Sequence, residues 1–425
     1  MKRFVLALSL LLSLSSPVLA ANSIEVCQAD LPTSNGGTVN CTSPGFGTPK
    51  GAFVFGGFGT VNGTVVDHAG LWIGGYDGTN QNAIAQTSGD NLADSDTGAA
   101  TDADSALITL DPAHVKDGDC TLSFITDGVR FTCADAPPAA YRVNVVLFGG
   151  AGVSNVHVGT ATGNGAIGGT TAVSAPGFTP DMLIAWATYG TGHWRMSVGL
   201  ATREAGPTIV QRSIGSNDSD NSASMTVASR LATDRLITNP VAISTLELTS
   251  FDANGFTVTT RDSTSGVPTF GYIAVKLSGL SVKLMTDPAP AGTGSESITG
   301  VGFRPQFGLM LQGEFTAVDT TYGVDDGEVF GLSAFTASAS ASTAAYNEDS
   351  DGTSNTESVT DNKVCRTRKG TPNDDYATCT FTQWTSDGGD LNYTVNVGGA
   401  KQRALLFVQA PASARRTYSP MVFPE

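Results

Sequence analysis

The sequence is poor in charged residues and in histidine. Only 15% of its 425 residues are charged, and acidic residues outnumber basic ones, which gives a formal net charge of −16. A surface of this sign repels phosphate backbones and anionic lipids, so we expect no nucleic-acid partner. The four histidines are His68, His114, His157 and His193. A histidine-dependent metal site or catalytic triad therefore cannot recur in the last third of the chain.

Long apolar runs are missing after the first twenty residues. Those twenty begin with Lys2 and Arg3, continue with an apolar run from Phe4 to Leu14, and end with Val-Leu-Ala at 18–20. This order is typical of a secretory signal peptide. No later stretch is long and apolar enough to span a bilayer as a helix. We expect a protein that is secreted to the cell surface, the extracellular space or the periplasm, without a transmembrane segment.

Sequence motifs of common enzymes are also absent. The chain has no Gly-x-Ser-x-Gly, no His-Glu-x-x-His and no Cys-x-x-Cys, which mark α/β-hydrolases, zinc proteases and zinc or redox sites. Asp67 could orient His68, and His193 lies in a predicted loop, but a lone histidine beside an aspartate is usually a surface pair. The paired carboxylates of glycosidases leave no motif, because the fold sets their separation. The sequence favours a non-catalytic protein.

The six cysteines form an even set, which in an exported chain indicates disulfides. Sequence neighbours predict three local bridges, of which Cys365 with Cys379 is the clearest, since two strands joined by a loop at 370–374 would place them opposite each other. A two-residue turn at 127–128 would leave Cys133 opposite Leu122, so a bridge to Cys120 needs a longer loop or a bulge. The three predicted pairs are Cys27 with Cys41, Cys120 with Cys133, and Cys365 with Cys379.

Four features recur three times in the same order along the chain. Each copy has a Gly-Phe with a nearby proline and an apolar strand, a polar loop with aspartates, an Asp-Gly or Asn-Gly turn before a strand, and a closing apolar strand. The Gly-Phe strands lie at 45–55, 177–186 and 302–311, the polar loops at 94–96, 217–220 and 347–351, the turns at 127–128, 254–255 and 387–388, and the closing strands at 143–148, 272–277 and 404–408.

These repeated positions build turns and short strands. They predict an all-β protein of three tandem antiparallel β-sandwich modules with jelly-roll-like connections, arranged in a row. The predicted boundaries are a signal peptide at 1–20 and modules at 21–150, 151–279 and 280–425. A β-propeller is the alternative, although its blades are only about 40–50 residues long. The nearest approach to a helical pattern, at 230–241, predicts at most a short helix.

The Gly-Phe-x-Pro motif, the polar loop and the Asn-Gly-Phe-Thr strand at 254–257 resemble repeated β-domains of phage virion and tail proteins and of exported bacterial surface proteins. The resemblance covers most of residues 24–410 and rests on structural motifs. It supplies no catalytic residue. Because virion proteins normally lack a cleaved leader, the signal peptide favours the exported surface proteins.

Two groups of residues are candidates for binding. Alternating carboxylates on an extended loop can converge on calcium, although the alternative is a loop that is merely well solvated. Exposed tryptophans could stack on sugar rings, although a core position is the more usual one. The candidate calcium ligands are Asp94, Asp96, Asp218, Asp220, Asp349 and Asp351, and the candidate sugar platforms are Trp72 and Trp194.

A structural or adhesive role accounts for the signal peptide, the repeat and the disulfides together. The sequence therefore predicts an exported structural or adhesive protein that assembles into a filament or layer through exposed sheet edges. A secreted carbohydrate-binding protein is the alternative, and a hydrolase of an extracellular polymer is the second alternative.

Overall fold

A computed structural model describes residues 22–92, 96–189, 193–204, 208–220, 228–240, 244–263, 269–323, 328–348, 354–368 and 375–410. These residues form antiparallel β-sheets joined by turns and loops, and they contain no helix, so the all-β prediction is confirmed. No helix in the described part of the chain could cross a membrane. The segment at 230–240, which came nearest to a helical pattern, contains the end of a strand and a β-bridge at Ile237.

The first predicted module contributes eleven strands in the described residues. They are β1 (Ile24–Asp30), β2 (Gly37–Thr42), β3 (Gly51–Gly56), β4 (Val65–Asp67), β5 (Ala69–Tyr76), β6 (Gln81–Ser88), β7 (Thr97–Asp102), β8 (Leu107–Leu110), β9 (Lys116–Ile125), β10 (Gly128–Asp135) and β11 (Arg142–Phe148).

The second and third predicted modules contribute the rest. The second has β12 (Val153–Thr162), β13 (Thr170–Val173), β14 (Met182–Thr188), β15 (His193–Arg203), β16 (Ile209–Ser219), β17 (Ala228–Ala232), β18 (Ser244–Asp252), β19 (Gly255–Ser263) and β20 (Thr269–Leu277). The third has β21 (Val282–Pro288), β22 (Gly294–Ile298), β23 (Pro305–Gln312), β24 (Thr321–Gly323), β25 (Glu328–Thr336), β26 (Ser340–Glu348), β27 (Asn355–Asp361), β28 (Cys365–Arg368), β29 (Asp375–Thr385), β30 (Gly388–Asn396) and β31 (Gln402–Gln409).

Each predicted module supplies one larger and one smaller sheet. The larger sheets share one order of strands, β1-β11-β3-β5-β6-β7, then β12-β20-β14-β15-β16-β17, then β21-β31-β23-β25-β26-β27. The smaller sheets are β2-β10-β9-β8, β13-β19-β18 and β22-β30-β29-β28. The chain crosses between the two sheets of a module and also runs in meanders, such as β5 to β7 and β8 to β10. The repeat in sequence is thus a repeat in topology, while the division into three separate domains stays a prediction.

The larger sheets are buried on both faces. In β3, Ala52 and Val54 face the smaller sheet of their own module, whereas Phe53 and Phe55 face away from it. The outward residues of the three larger sheets meet in one cluster that joins the modules, with Phe53 and Trp186 at a ring distance of 5.9 Å. The expected arrangement in a row is therefore wrong, because the modules close around a shared core.

Two strands cross from one module to another. β4 of the first module pairs with β27 of the third, and β24 of the third pairs with β17 of the second. Each crossing strand extends a larger sheet by one strand at its far edge. The modules are therefore joined by backbone hydrogen bonds as well as by the shared core.

The repeated motifs contact each other in space. Asp127, in the turn between β9 and β10, accepts a hydrogen bond from the Gly47 N–H at 2.7 Å, and Asp387 accepts one from the Gly300 N–H at 2.9 Å. The Gly45 backbone has a φ of 85°, which favours glycine. These contacts hold the pKa of each aspartate below its usual range. The motifs recur because the Gly-Phe loop rests on the Asp-Gly turn.

All three predicted disulfides are present. Cys27 with Cys41 joins the larger sheet to the smaller one, whereas the other two bridges link neighbouring strands of smaller sheets. The predicted register around the middle bridge was wrong by two residues. The turn consists of Thr126 and Asp127, so Gly128 pairs with Ile125 and Cys133 lies directly opposite Cys120. No longer loop is needed.

Candidate functional site

A polar cluster lies where the three larger sheets meet. Ser88 of β6 donates a hydrogen bond to Asn347 of β26 at 3.1 Å, and the Asn347 amide donates to Asp218 of β16 at 2.7 Å. One residue comes from each module, and all three are buried. We call Ser88, Asp218 and Asn347 the junction cluster. Because a buried polar group without a partner is costly, the cluster selects one relative placement of the sheets.

Two histidines flank the junction cluster in equivalent positions. His68 Nδ1 accepts the Asp90 N–H at 2.9 Å, and the Asp90 carboxylate accepts the N–H of Thr356 in the third module at 2.9 Å. The second module repeats the arrangement toward the first. His193 Nδ1 accepts the Asp220 N–H at 3.2 Å, and Asp220 accepts the N–H of Thr97 at 3.2 Å.

These imidazoles act as hydrogen-bond acceptors, which requires an unprotonated Nδ1. Burial lowers the pKa of His193, and the nearby Arg195 lowers it further against the opposing effect of Asp220 and Asp218. The neutral ring suits its role as an acceptor. Each histidine therefore aligns an aspartate whose carboxylate accepts a backbone N–H near the start of a strand in another module.

The candidate calcium ligands do not converge in the described residues. Asp96 contacts His114 Nε2 at 2.7 Å, Asp218 lies in the junction cluster and Asp220 caps β7. Within the described ranges, no three groups of His, Cys, Asp or Glu are placed to hold a metal ion. Calcium binding stays a prediction, which a chelator-dependent thermal midpoint would support. The remaining candidates, Asp94, Asp349 and Asp351, lie outside the described residues.

A hydroxyl, an imidazole and a carboxylate form a row of hydrogen-bonded groups at one end of the first module. The Thr87 hydroxyl is 2.7 Å from His114 Nδ1, and His114 Nε2 is 2.7 Å from Asp96 Oδ1. The order resembles a nucleophile, a base and an orienting acid. Thr87, however, is fully buried, and a nucleophile must be reachable by its substrate. His114 has a φ of 63° and packs over Gly98, which has no side chain to obstruct it.

Neither candidate sugar platform presents a ring to solvent. Trp72 is 0% exposed and packs against Phe58 and Tyr141 at ring distances of 5.4 and 4.9 Å. Trp194 is 1% exposed and donates its indole N–H to Ser216 at 2.9 Å. Stacking on a sugar requires an open ring face. Both tryptophans therefore serve the core in this structure.

Carboxylate contacts join the first strand of each larger sheet to a neighbouring module. Asp77, between β5 and β6, accepts the N–H of Val158 at 2.9 Å and lies 3.4 Å from His157 Nδ1. Burial raises the pKa of Asp77, but the hydrogen bonds from His157, Asn80 and Val158 outweigh burial and hold it well below its usual range. Asp77 is thus a charged cap that joins two modules.

The same contact is made between the second and third modules. Glu204 accepts the N–H of Leu284 at 3.0 Å and the Lys283 ammonium at 2.8 Å. Between the first and third modules, Glu25 of β1 accepts a hydrogen bond from the Ser338 hydroxyl at 3.1 Å. Each larger sheet thus makes a carboxylate contact with a neighbouring module at its first strand.

Two clefts open beside these first strands. The larger cleft has a volume of about 600 Å³ and is lined by Asp181, Arg203, Glu204, residues 280–283 and residues 301–303. The smaller cleft has a volume of about 410 Å³ and lies between β1 and the turn at 336–340. The carboxylates of the larger cleft are paired, Asp181 with Arg203 and Lys276, and Glu204 with Lys283.

Reasoning from sequence missed the junction cluster and the equivalence of His68 with His193. Their signal was positional, because each histidine directly precedes or begins the strand that pairs with the Gly-Phe strand in its copy. Comparison with protein-family models finds no match for the chain, and comparison with curated protein sequences finds none either.

Proposed function

We propose that the protein is an exported structural or adhesive protein, which acts at the cell surface or outside the cell and assembles with further copies of itself. The shared core supports this proposal most directly. Three larger sheets buried on both faces give a stiff body, and the smaller sheets then form its outward surfaces. Such a body holds its loops and outer strands in fixed positions for contact with other molecules.

The disulfides support export, because such bridges persist mainly in oxidising compartments. The signal peptide lies outside the described residues and stays a prediction. Its cleavage can be tested by N-terminal sequencing of the protein recovered outside the cytoplasm. A mature chain that still begins at Met1 would contradict export through this leader.

The contacts for assembly belong to the smaller sheets. Their edge strands β2, β13 and β22 each lie at one side of a sheet, and alternate residues such as Thr38 and Ser295 are exposed. Exposed strand edges offer backbone groups to a second chain. The first strands of the larger sheets are less open than these edges, because each makes a carboxylate contact with a neighbouring module.

Electron microscopy and sedimentation of the purified protein test the assembly. We expect filaments, layers or defined oligomers, and we expect Thr38→Lys in β2 to weaken them, because a lysine on an edge strand disfavours edge pairing. Thr380→Lys is the matched control, since Thr380 is also exposed but lies on the inner strand β29. A monomer at all concentrations, or equal effects of both variants, would contradict assembly through this edge.

A hydrolase is the second candidate, and the contacts among Thr87, His114 and Asp96 favour it. Turnover of a polysaccharide or ester that disappears in both Thr87→Ala and His114→Gln would support it. Burial of Thr87 favours the structural role. A glycan array tests the carbohydrate-binding alternative, which has no exposed tryptophan among its two candidates.

A further inference from the structure

The larger cleft has one wall that is an edge strand. Ser281 accepts the N–H of Gln409 at 2.9 Å, so residues 281 and 283 turn their backbone groups toward β31. In an antiparallel ladder the intervening residues turn theirs away. Leu284 does so, since its N–H reaches Glu204, and Val282 therefore directs its backbone groups toward the cleft.

The described chain ends between the two walls of this cleft. Gln409 is bonded to Ser281 on one wall, and the Ala410 N–H donates to the Arg304 carbonyl at 2.9 Å, directly after Phe303 on the other wall. Fifteen further residues, 411–425, follow Ala410. Extended, they could reach about 50 Å, so the cleft is well within their range.

The composition of residues 411–425 fits the cleft. Leu280 and Phe303 are half-buried on its walls, and the tail carries apolar residues at 418 and 421–423. A volume of about 600 Å³ lies within the range of about 300–1,000 Å³ that is usual for binding clefts.

We propose that residues 411–425 bind in the larger cleft of their own molecule, beside residues 280–282 on its wall. The occupant is intramolecular because the chain leaves β31 at the rim. Tethering at this distance gives an effective concentration on the order of millimolar, which a tail from another molecule does not match in dilute solution. Bound there, the tail covers Val282, whose backbone faces the cleft next to the contact between Leu284 and Glu204.

A labelled peptide of residues 411–425 tests this proposal by fluorescence anisotropy. The chain truncated after Ala410 keeps all of β31 and should fold. We expect the peptide to bind the truncated chain at least tenfold more tightly than the full chain, whose cleft is filled. Equal binding to both chains, or binding to neither, would overturn the proposal. An increase in mass of the full chain with concentration that the truncation abolishes would instead assign the tail to a second copy.

A pair of variants locates the binding. Leu280→Asp in the truncated chain should abolish binding of the peptide, whereas Ala339→Asp should leave it unchanged. Both residues are partly buried and pack against the shared core, but Ala339 lines the smaller cleft. If Leu280→Asp fails to fold, trypsin provides the readout on the unmodified full chain. Cleavage after Arg415 or Arg416 should be at least tenfold slower than in the free peptide. Equal rates would contradict binding of residues 411–425 in the cleft.

Discussion

Phe53→Ala tests whether the three modules unfold together. The Phe53 side chain is fully buried in the shared core and lies beside Trp186 of the second module. Truncation of a buried phenylalanine to alanine costs about 3–5 kcal/mol, since it removes apolar contacts and leaves a cavity. We take about 4 kcal/mol, because an indole ring on a strand of another sheet can only partly fill the space.

The expected shift in Tm depends on the size of the unfolding unit. Unfolding entropy is about 2.1 cal/mol/K per residue, so a unit of about 390 residues has about 0.8 kcal/mol/K and a unit of about 130 residues has about 0.27 kcal/mol/K. A loss of about 4 kcal/mol then lowers Tm by about 5 °C if the whole chain unfolds as one unit. It lowers Tm by about 15 °C if the first module unfolds alone.

Differential scanning calorimetry at several scan rates distinguishes the two cases. We expect one transition, shifted by about 5 °C in Phe53→Ala. Phe131→Ala should move the same transition by a similar amount, because Phe131 is equally buried but lies in the first module's own core. Ile167→Ala, at a residue that is 67% exposed, should move nothing. Two separate transitions, of which only one moves by about 15 °C, would refute the argument that the shared core couples the modules.

Four further predictions concern single contacts. Asp77→Asn should lower the free energy of unfolding by about 1.5–3 kcal/mol at pH 7, because it removes charge-assisted hydrogen bonds. Since the folded pKa of Asp77 is depressed, its contribution is full above the unfolded pKa and fades as pH falls through the folded value, so melting curves of the two proteins should converge in acid; a constant difference would contradict the assignment. Replacing Cys27 and Cys41 together by alanine should cost about 3 kcal/mol in denaturant titrations, and a negligible loss would mean that the join between sheets is held by packing alone. Trp194→Ala should lower stability by about 3–5 kcal/mol and leave glycan-array signals unchanged; a stable variant that loses a glycan signal would restore the binding role. Gly98→Ala should destabilise the chain by about 1–3 kcal/mol and shift the His114 resonances in NMR spectra, because a Cβ there would lie 2.3 Å from the His114 ring; unshifted resonances would show that the ring has room to move.

The local parts of this fold could be predicted from the sequence. Glycines, prolines and Asp-Gly turns act over a few residues, so the strands at 143–148 and 404–408 and the three bridges were found by pattern and spacing. The register of β9 with β10 was predicted wrongly. The turn begins one residue before the Asp-Gly pair and places Asp127 at a φ of 65°. That detail depends on the contact between Asp127 and Gly47, which is distant in sequence.

The burial of the larger sheets on both faces can be recognised in the sequence, because some of their strands are apolar without interruption. The run Ala52-Phe-Val-Phe55 has no polar residue on either face, and Leu309-Met-Leu311 is the same. A sandwich strand with one solvated face alternates, whereas an unbroken apolar strand indicates burial on both faces. The junction cluster could not be predicted, since Ser88, Asp218 and Asn347 are ordinary polar residues that meet only after three sheets have packed.

The crossing of β4 onto β27 imposes an order on how the chain can mature. The pairing joins Val65 with Val359, so nearly three hundred further residues must be synthesised before β4 can form its backbone hydrogen bonds with β27. Contacts so distant in sequence slow folding and leave apolar surface uncovered in the meantime. A chain that stops before the third module would keep β4 unpaired and one face of its larger sheet open. The apolar face is thus buried only when synthesis of the third module is complete. Incomplete chains should therefore be cleaved by proteases faster than complete ones.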